Sequence, residues 1–204
     1  MKIVVFGATG KTGEIASRNA LESGHDVTVF GRSVERKFAD DNVNRIRGNV
    51  LDGDAVGMAV AGQDAVLVCL GPVSTKDRTT LSVGAQNISA AMKEHGVRRI
   101  VFISAAGVGD SWPHIPWYSK LLFSTMLKTI LAEHAREEQI FAADHLDWTA
   151  VRAAVLTNKE GSGKVSASNS TPTKTISRSD LAGFLASQVT SEDYLNQAIC
   201  VTSA

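Results

Sequence analysis

The chain has 204 residues, 44% of them apolar, and its 21 basic side chains balance 21 acidic ones. A chain of that length buries roughly 70% of its unfolded surface in one domain, so no disulfide or structural metal is needed for stability. Zero net charge removes the broad attraction on which phosphate-backbone and anionic-lipid binding rest, so neither nucleic acid nor a membrane is expected as a partner. Cys69 and Cys200 stand in apolar runs without a Cys-x-x-Cys pair, which reads as buried thiols in a reduced, cytoplasmic chain, and no zinc pattern is present. The four apolar residues before Gly7 are too few for a signal segment or a membrane span.

Short β-branched runs recur from the start: IVVF at 3–6, DVTVF at 26–30, NRIRG at 44–48, AVLVCL at 65–70, RRIVFIS at 98–104, DWTAVR at 147–152 and AICVT at 198–202. Between them lie helical patterns: Thr12 to Ser23 before Gly24, a short one opened by Asp52 and ended by Gly62, and Leu81 to His95 before Gly96. A longer stretch, Ser119 to His145, carries apolar residues at Leu122, Met126, Ile130 and Leu131, and a last helix follows the capping-box-like Ser177-x-x-Asp180. Strand, helix, strand implies parallel units with right-handed crossovers, and hence a doubly wound α/β Rossmann fold. Such a fold consumes most of residues 1–204, leaving a minimal cap on the substrate side. The irregular stretches Gly107 to Tyr118 and Ala153 to Thr175 follow carboxyl ends of strands, where ligands bind in this architecture, and they are read as substrate-site walls.

Gly7-Ala8-Thr9-Gly10-Lys11-Thr12-Gly13 leaves the first strand and opens a helix. Such a turn aims backbone N–H groups and the positive helix end at a pyrophosphate, which points to a dinucleotide. A P-loop reading of Gly10-Lys11-Thr12 fails, because Val5 stands in the strand where that motif needs its first glycine. After the second strand comes Gly31-Arg32-Ser33. A carboxylate there would take a ribose 2′-hydroxyl, whereas Arg32, helped by Ser33 and Arg36, suits a 2′-phosphate, so NADP(H) is the expected cofactor.

GATGKTG at 7–13, FGR at 30–32, GNVLD at 48–52, AGQDAVLVCLG at 61–71, VRRIVFISAAGVG at 97–109, LDWTAVRAAVLT at 146–157 and ISRSDLAGFL at 176–185 occur in an order that resembles atypical short-chain dehydrogenase/reductases. The flavin reductase/biliverdin-IXβ reductase and NmrA-like groups are the most similar. The resemblance implies that Gly7, Thr9, Gly10, Lys11, Thr12 and Gly13 form the pyrophosphate turn, with Arg32, Ser33 and Arg36 on the 2′-phosphate. It puts Asn49 and Val50 beside the adenine, Leu70, Gly71 and Pro72 on the ribose, and Ser104 beside the nicotinamide as the catalytic candidate. Asn49 departs from the aspartate usual in the family. Ala153-Ala154-Val155 replaces the usual proline-containing turn, leaving only backbone to touch the carboxamide.

Typical relatives use Tyr-x-x-x-Lys, in which the lysine lowers the tyrosine pKa for proton exchange. Here Tyr118 is followed four residues on by Leu122, and Tyr194 by Ala198. Ordinary ketone chemistry lacks its acid, whereas a conjugated acceptor takes its proton from solvent and needs mainly stacking. Trp112, His114 and Trp117 lie in the aromatic segment 111–118, which either stacks on a planar substrate or packs against the domain or a second copy. His114 is the histidine placed to donate a proton, and Ser104 is either a site residue or an ordinary strand-end cap. His134 and His145, eleven apart on the long helical stretch, share a face as partly exposed residues without a third metal ligand. The sequence therefore implies an NADPH-dependent reductase of a flavin-like acceptor, a monomer or weak homodimer. The rival is a non-catalytic NADP(H) sensor, while a nucleotide-sugar epimerase would want the tyrosine, the lysine and a larger cap.

Overall fold

The computed structural model describes residues 1–116, 120, 125, 127–169 and 174–204. Its strands are β1 (Lys2–Phe6), β2 (Asp26–Gly31), β3 (Asn44–Arg47), β4 (Ala65–Val68), β5 (Arg99–Ala105), β6 (Asp147–Ala153), β7 (Val155–Thr157), β8 (Val165–Ala167), β9 (Thr175–Ser177) and β10 (Gln197–Ser203). Its helices are α1 (Lys11–Glu22), α2 (Val34–Lys37), α3 (Gly53–Val60), α4 (Thr80–His95), α5 (Lys128–Ala143) and α6 (Arg178–Gln188), with a 3₁₀ helix over Gly109–His114.

Eight strands form one sheet in the order β3-β2-β1-β4-β5-β6-β10-β8. The seven expected strands are parallel neighbours, and β8 adds an antiparallel edge on β10. The sequence turns outward on both sides of β1, between β1 and β4, which opens a crevice at the carboxyl ends of those strands. Near-continuous apolar runs in β1, β4 and β5 fit strands covered on both faces. On one face Ala16, Ala20, Leu181 and Leu185 of α1 and α6 close over Ile3, Val5 and Leu67. On the other, Val56, Ile88, Met92 and Phe141 of α3, α4 and α5 close over Phe6, Val66 and Phe102, with the Phe102 and Phe141 ring centroids 4.8 Å apart.

Local chemistry sets the helix ends. Asp52 accepts the N–H groups of Asp54 and Ala55 at 3.1 and 3.2 Å, and Gly96 ends α4 in the left-handed region at φ 69°. Ser177 accepts the Asp180 N–H at 2.9 Å, as the capping pattern predicts. The Asp180 carboxylate does not close a reciprocal box; it turns out to accept Ser162 and Gly163 N–H groups and so ties the 159–164 loop to α6. Within the long helical stretch Lys120 and Thr125 are helical, Leu122 and Met126 lie outside the described residues, and the helix α5 runs from Lys128 only to Ala143, short of the expected end at His145. His145 therefore lies beyond the helix with φ 54°, while His134 is buried against Glu137 at 3.0 Å, so the two share no exposed face. Between Ala153 and Thr175 the expected irregular wall contains β7 and β8, and β7 pairs in parallel with β9.

Candidate functional site

A cleft of about 280 Å³ opens at the carboxyl ends of β1, β2, β3 and β4. Gly7, Thr9, Gly10, Arg32, Asn49, Val50, Leu70 and Gly71, all singled out in the sequence, line it together. Phe30, Gly31, Gly48, Leu51, Cys69, Val73 and Thr80 line it too. Phe30, Gly31, Gly48, Leu51 and Cys69 stand inside the quoted motifs, whereas Val73 and Thr80 lie outside them and carried no signal. Cys69 is a buried thiol pushed up to about 12 by burial, an inert wall rather than a nucleophile.

The turn from β1 to α1 is built by close backbone approach. Gly7 takes φ 76°, and a Cβ there would meet the Cys69 carbonyl oxygen at 2.5 Å. Its own carbonyl accepts the Gly10 N–H at 3.0 Å. The N-terminus of α1 carries no side-chain cap, so the first-turn N–H groups of Lys11, Thr12 and Gly13 have no intrahelical partner and face the end where the cleft lies. This uncapped end beside an open cleft fits a pyrophosphate. Thr12 and Gly13 are themselves buried and lie behind the lining residues.

At the β2 end Arg32, Ser33 and Arg36 are exposed, and Arg32 reaches the cleft wall. Asn49 takes up the N–H of Leu51 through Oδ1 at 3.2 Å, and Asn87 of α4 donates to the Val50 carbonyl at 2.9 Å, so both residues beside the cleft are held from below. Beyond β4, the loop with Leu70, Gly71 and Pro72 is fastened by Asp77, which accepts N–H groups of Val73, Thr79 and Thr80 at 2.9, 3.1 and 3.1 Å. Burial pushes that carboxyl up, but the Thr80 hydroxyl and the three N–H groups outweigh it and hold it down at about 2.

The ends of β5 and β6 differ from what the sequence suggests. Ser104 is 1% exposed and donates its hydroxyl proton to Glu138 of α5 at 2.5 Å. Glu138 in turn accepts Nε and Nη2 of the buried Arg152 at 3.0 and 2.9 Å, and Arg152 Nη1 pairs with Asp110. Burial would pull the guanidinium down, yet Glu138 and Asp110 raise it further, so it stays charged. The only hint of this network was an arginine in the apolar run DWTAVRA. Ala153 and Ala154 are buried with backbone groups engaged by Ala106 and Val201, leaving Val155 exposed. Trp112 and His114 are half-buried on the 3₁₀ helix, with Lys120 Nζ 6.0 Å from the indole centroid. Trp117 and Tyr118 lie outside the described residues. Among the described residues no group of three potential ligands gathers as a metal site, and no helix is long and apolar enough to cross a membrane.

An NAD(P)H-binding family profile matches residues 7–192. The 2-alkyl-3-oxoalkanoate reductase of Stenotrophomonas maltophilia is 35% identical over 120 residues, covering 56% of this chain and 36% of that one, so the chain spans about a third of that relative's length. ChuY, an anaerobillin reductase from Escherichia coli O157:H7, superimposes with a TM-score of 0.85 at 19% identity, covering 100% of this chain and 97% of the other. A short-chain dehydrogenase/reductase from Veillonella parvula in complex with NADP gives 0.83 at 17% identity, covering 99% and 94%. Both structures share the fold.

Proposed function

We propose that this chain, which belongs to the NAD(P)H-binding family, is an NADPH-dependent reductase that passes hydride to a flat conjugated acceptor such as a flavin. The observation that carries the reading is the meeting of the uncapped α1 end with Arg32 across one cleft. The reductase names of the relatives and the NADP complex of a structural neighbour support it.

The bound nicotinamide supplies the hydride. Thr9, Gly10 and the N–H groups of Lys11, Thr12 and Gly13 hold the pyrophosphate. Arg32, Ser33 and Arg36 neutralise the 2′-phosphate, Asn49 and Val50 flank the adenine, and Leu70, Gly71 and Pro72 border the ribose. The backbone around Ala153, Ala154 and Val155 closes the far side. Ser104, at the β5 end beside the nicotinamide position, is 1% exposed with its proton committed to Glu138, so it does not protonate an acceptor. Trp112, with His114 beside it, offers a face for stacking. Tyr194 cannot serve as an acid here: its carbonyl accepts the Thr149 hydroxyl at the amino ends of β5 and β6, opposite the cleft. Oxidation of NADPH by FMN, measured against a small ketone, tests the reading, and tight cofactor binding without any turnover turns it toward a sensor.

A further inference from the structure

We infer that Asp110 and Arg152 form an ionic strap that sets the position of Trp112, which makes Arg152 a positioning residue for the acceptor. Its kinetic consequence rests on the reductase reading above; its geometry does not.

Arg152 is 4% exposed on β6, and a buried guanidinium requires a counter-charge. Glu138 already provides it through two hydrogen bonds from Nε and Nη2, and the Ser104 hydroxyl satisfies the same carboxylate. That trio is neutral overall without Asp110. The remaining nitrogen, Nη1, reaches out of the sheet to Asp110, whose side chain is 74% exposed. The bond is therefore not required to balance the buried charge. What it does is tie the first turn of the Gly109–His114 helix to β6.

The backbone shows how closely that turn is drawn down. Gly109 takes φ 56°, and a Cβ on it would stand 2.9 Å from Arg152 Nη2. Both the left-handed backbone and the contact call for glycine. Ser111, two residues on, is buried, accepting the Gly107 N–H at 2.9 Å and donating to the Val108 carbonyl at 2.6 Å, which keeps the turn tight. The Arg152 hydrogen bond also holds the Asp110 carboxyl below the usual carboxylate range, against the opposing effect of its partial burial. Trp112 is two residues from Asp110, so slack at the strap moves the indole relative to the strand ends where the acceptor is expected.

The clean test is Asp110→Asn, which preserves size, removes the charge and leaves the buried Arg152–Glu138 pair intact. A partly exposed ion pair of this kind is worth about fivefold in an equilibrium. The expected result is hydrogen–deuterium exchange about fivefold faster over 107–116 and an acceptor KM about fivefold higher, with kcat and NADPH affinity unchanged and the melting temperature lowered by no more than roughly 2 to 4 °C. Asp110→Glu, which retains the charge, should recover most of the protection. Unchanged exchange overturns the strap, and faster exchange with an unchanged KM overturns the positioning role. If the wild-type protein turns over no acceptor, the reductase reading fails, while the exchange comparison still decides the strap.

Discussion

A Cβ on Gly13 would stand 2.2 Å from the carbonyl oxygen of Gly7. That oxygen is fixed, because it accepts the Gly10 N–H and its residue abuts the Cys69 backbone. Gly13→Ala should therefore cost about 1 to 3 kcal/mol, lower the melting temperature by roughly 2 to 12 °C and abolish measurable NADPH binding. Gly10→Ala meets the same oxygen at 3.2 Å and should be milder on both counts. Thermal melts and cofactor titrations check the order, and equal effects of the two substitutions would refute the close-approach argument.

Arg32 stands exposed at the edge of the cleft where a carboxylate would exclude a 2′-phosphate. NADPH should bind more tightly than NADH. Removing one charge-assisted phosphate contact in Arg32→Ala should cost about 1.5 to 3 kcal/mol, ten- to a hundredfold in NADPH affinity, and leave NADH almost unaffected. Parallel titrations of both cofactors check it. Equal affinities in the unaltered protein would remove this assignment.

These two predictions rest on features visible in the sequence, because the glycine turn and the β2 end are each built within a few neighbouring residues. The parallel strands are legible for the same reason: DVTVF and AVLVCL announce themselves through β-branched runs. The surroundings of Ser104 are not legible. Its partner Glu138 lies 34 residues away, Arg152 a further 14, and no local periodicity links them. The short strands β7, β8 and β9 escape for another reason: they are half-polar segments of three residues, defined by pairing rather than by pattern. Likewise helical spacing cannot reveal that α5 stops at Ala143, which is what separates His134 from His145.

Asp77 gives a pH signature. Its carboxyl falls from 3.8 to about 2 in the folded chain. A lowered folded-state value means that the stabilisation is present above the unfolded value, near 3.8, and is lost as pH drops through about 2. Solvent screening reduces the contribution to about 1 kcal/mol. Asp77→Ala should thus melt roughly 2 to 4 °C lower at neutral pH and weaken NADPH binding through the Leu70–Pro72 loop. The gap to the unaltered protein should close in melts run at progressively lower pH. A gap that stays constant down to about pH 2 would assign the effect to something other than the carboxylate.

The Gly109–His114 segment, which follows β5, holds Trp112 half-buried, and Ser104, its proton engaged by Glu138, offers no acid at the end of that strand. A flat acceptor gains on the order of 0.5 to 1.5 kcal/mol from each aromatic contact and draws its proton from solvent. A small aliphatic ketone gains neither benefit and, without a positioned acid, forgoes a further 10²- to 10⁴-fold, on the order expected for general acid catalysis. NADPH oxidation should therefore be measurable with FMN or riboflavin and weak or absent with the ketone. Trp112→Ala should raise the flavin KM by roughly three- to tenfold while NADPH affinity stays within about twofold, since the indole stands outside the cleft lining. Absorbance at fixed NADPH with FMN, riboflavin, a quinone and a small ketone at equal concentration decides the matter. Fast ketone turnover beside inert flavins would show an acid supplied from elsewhere in the chain, and an equal loss of NADPH affinity in Trp112→Ala would move the indole from the acceptor wall to the cofactor.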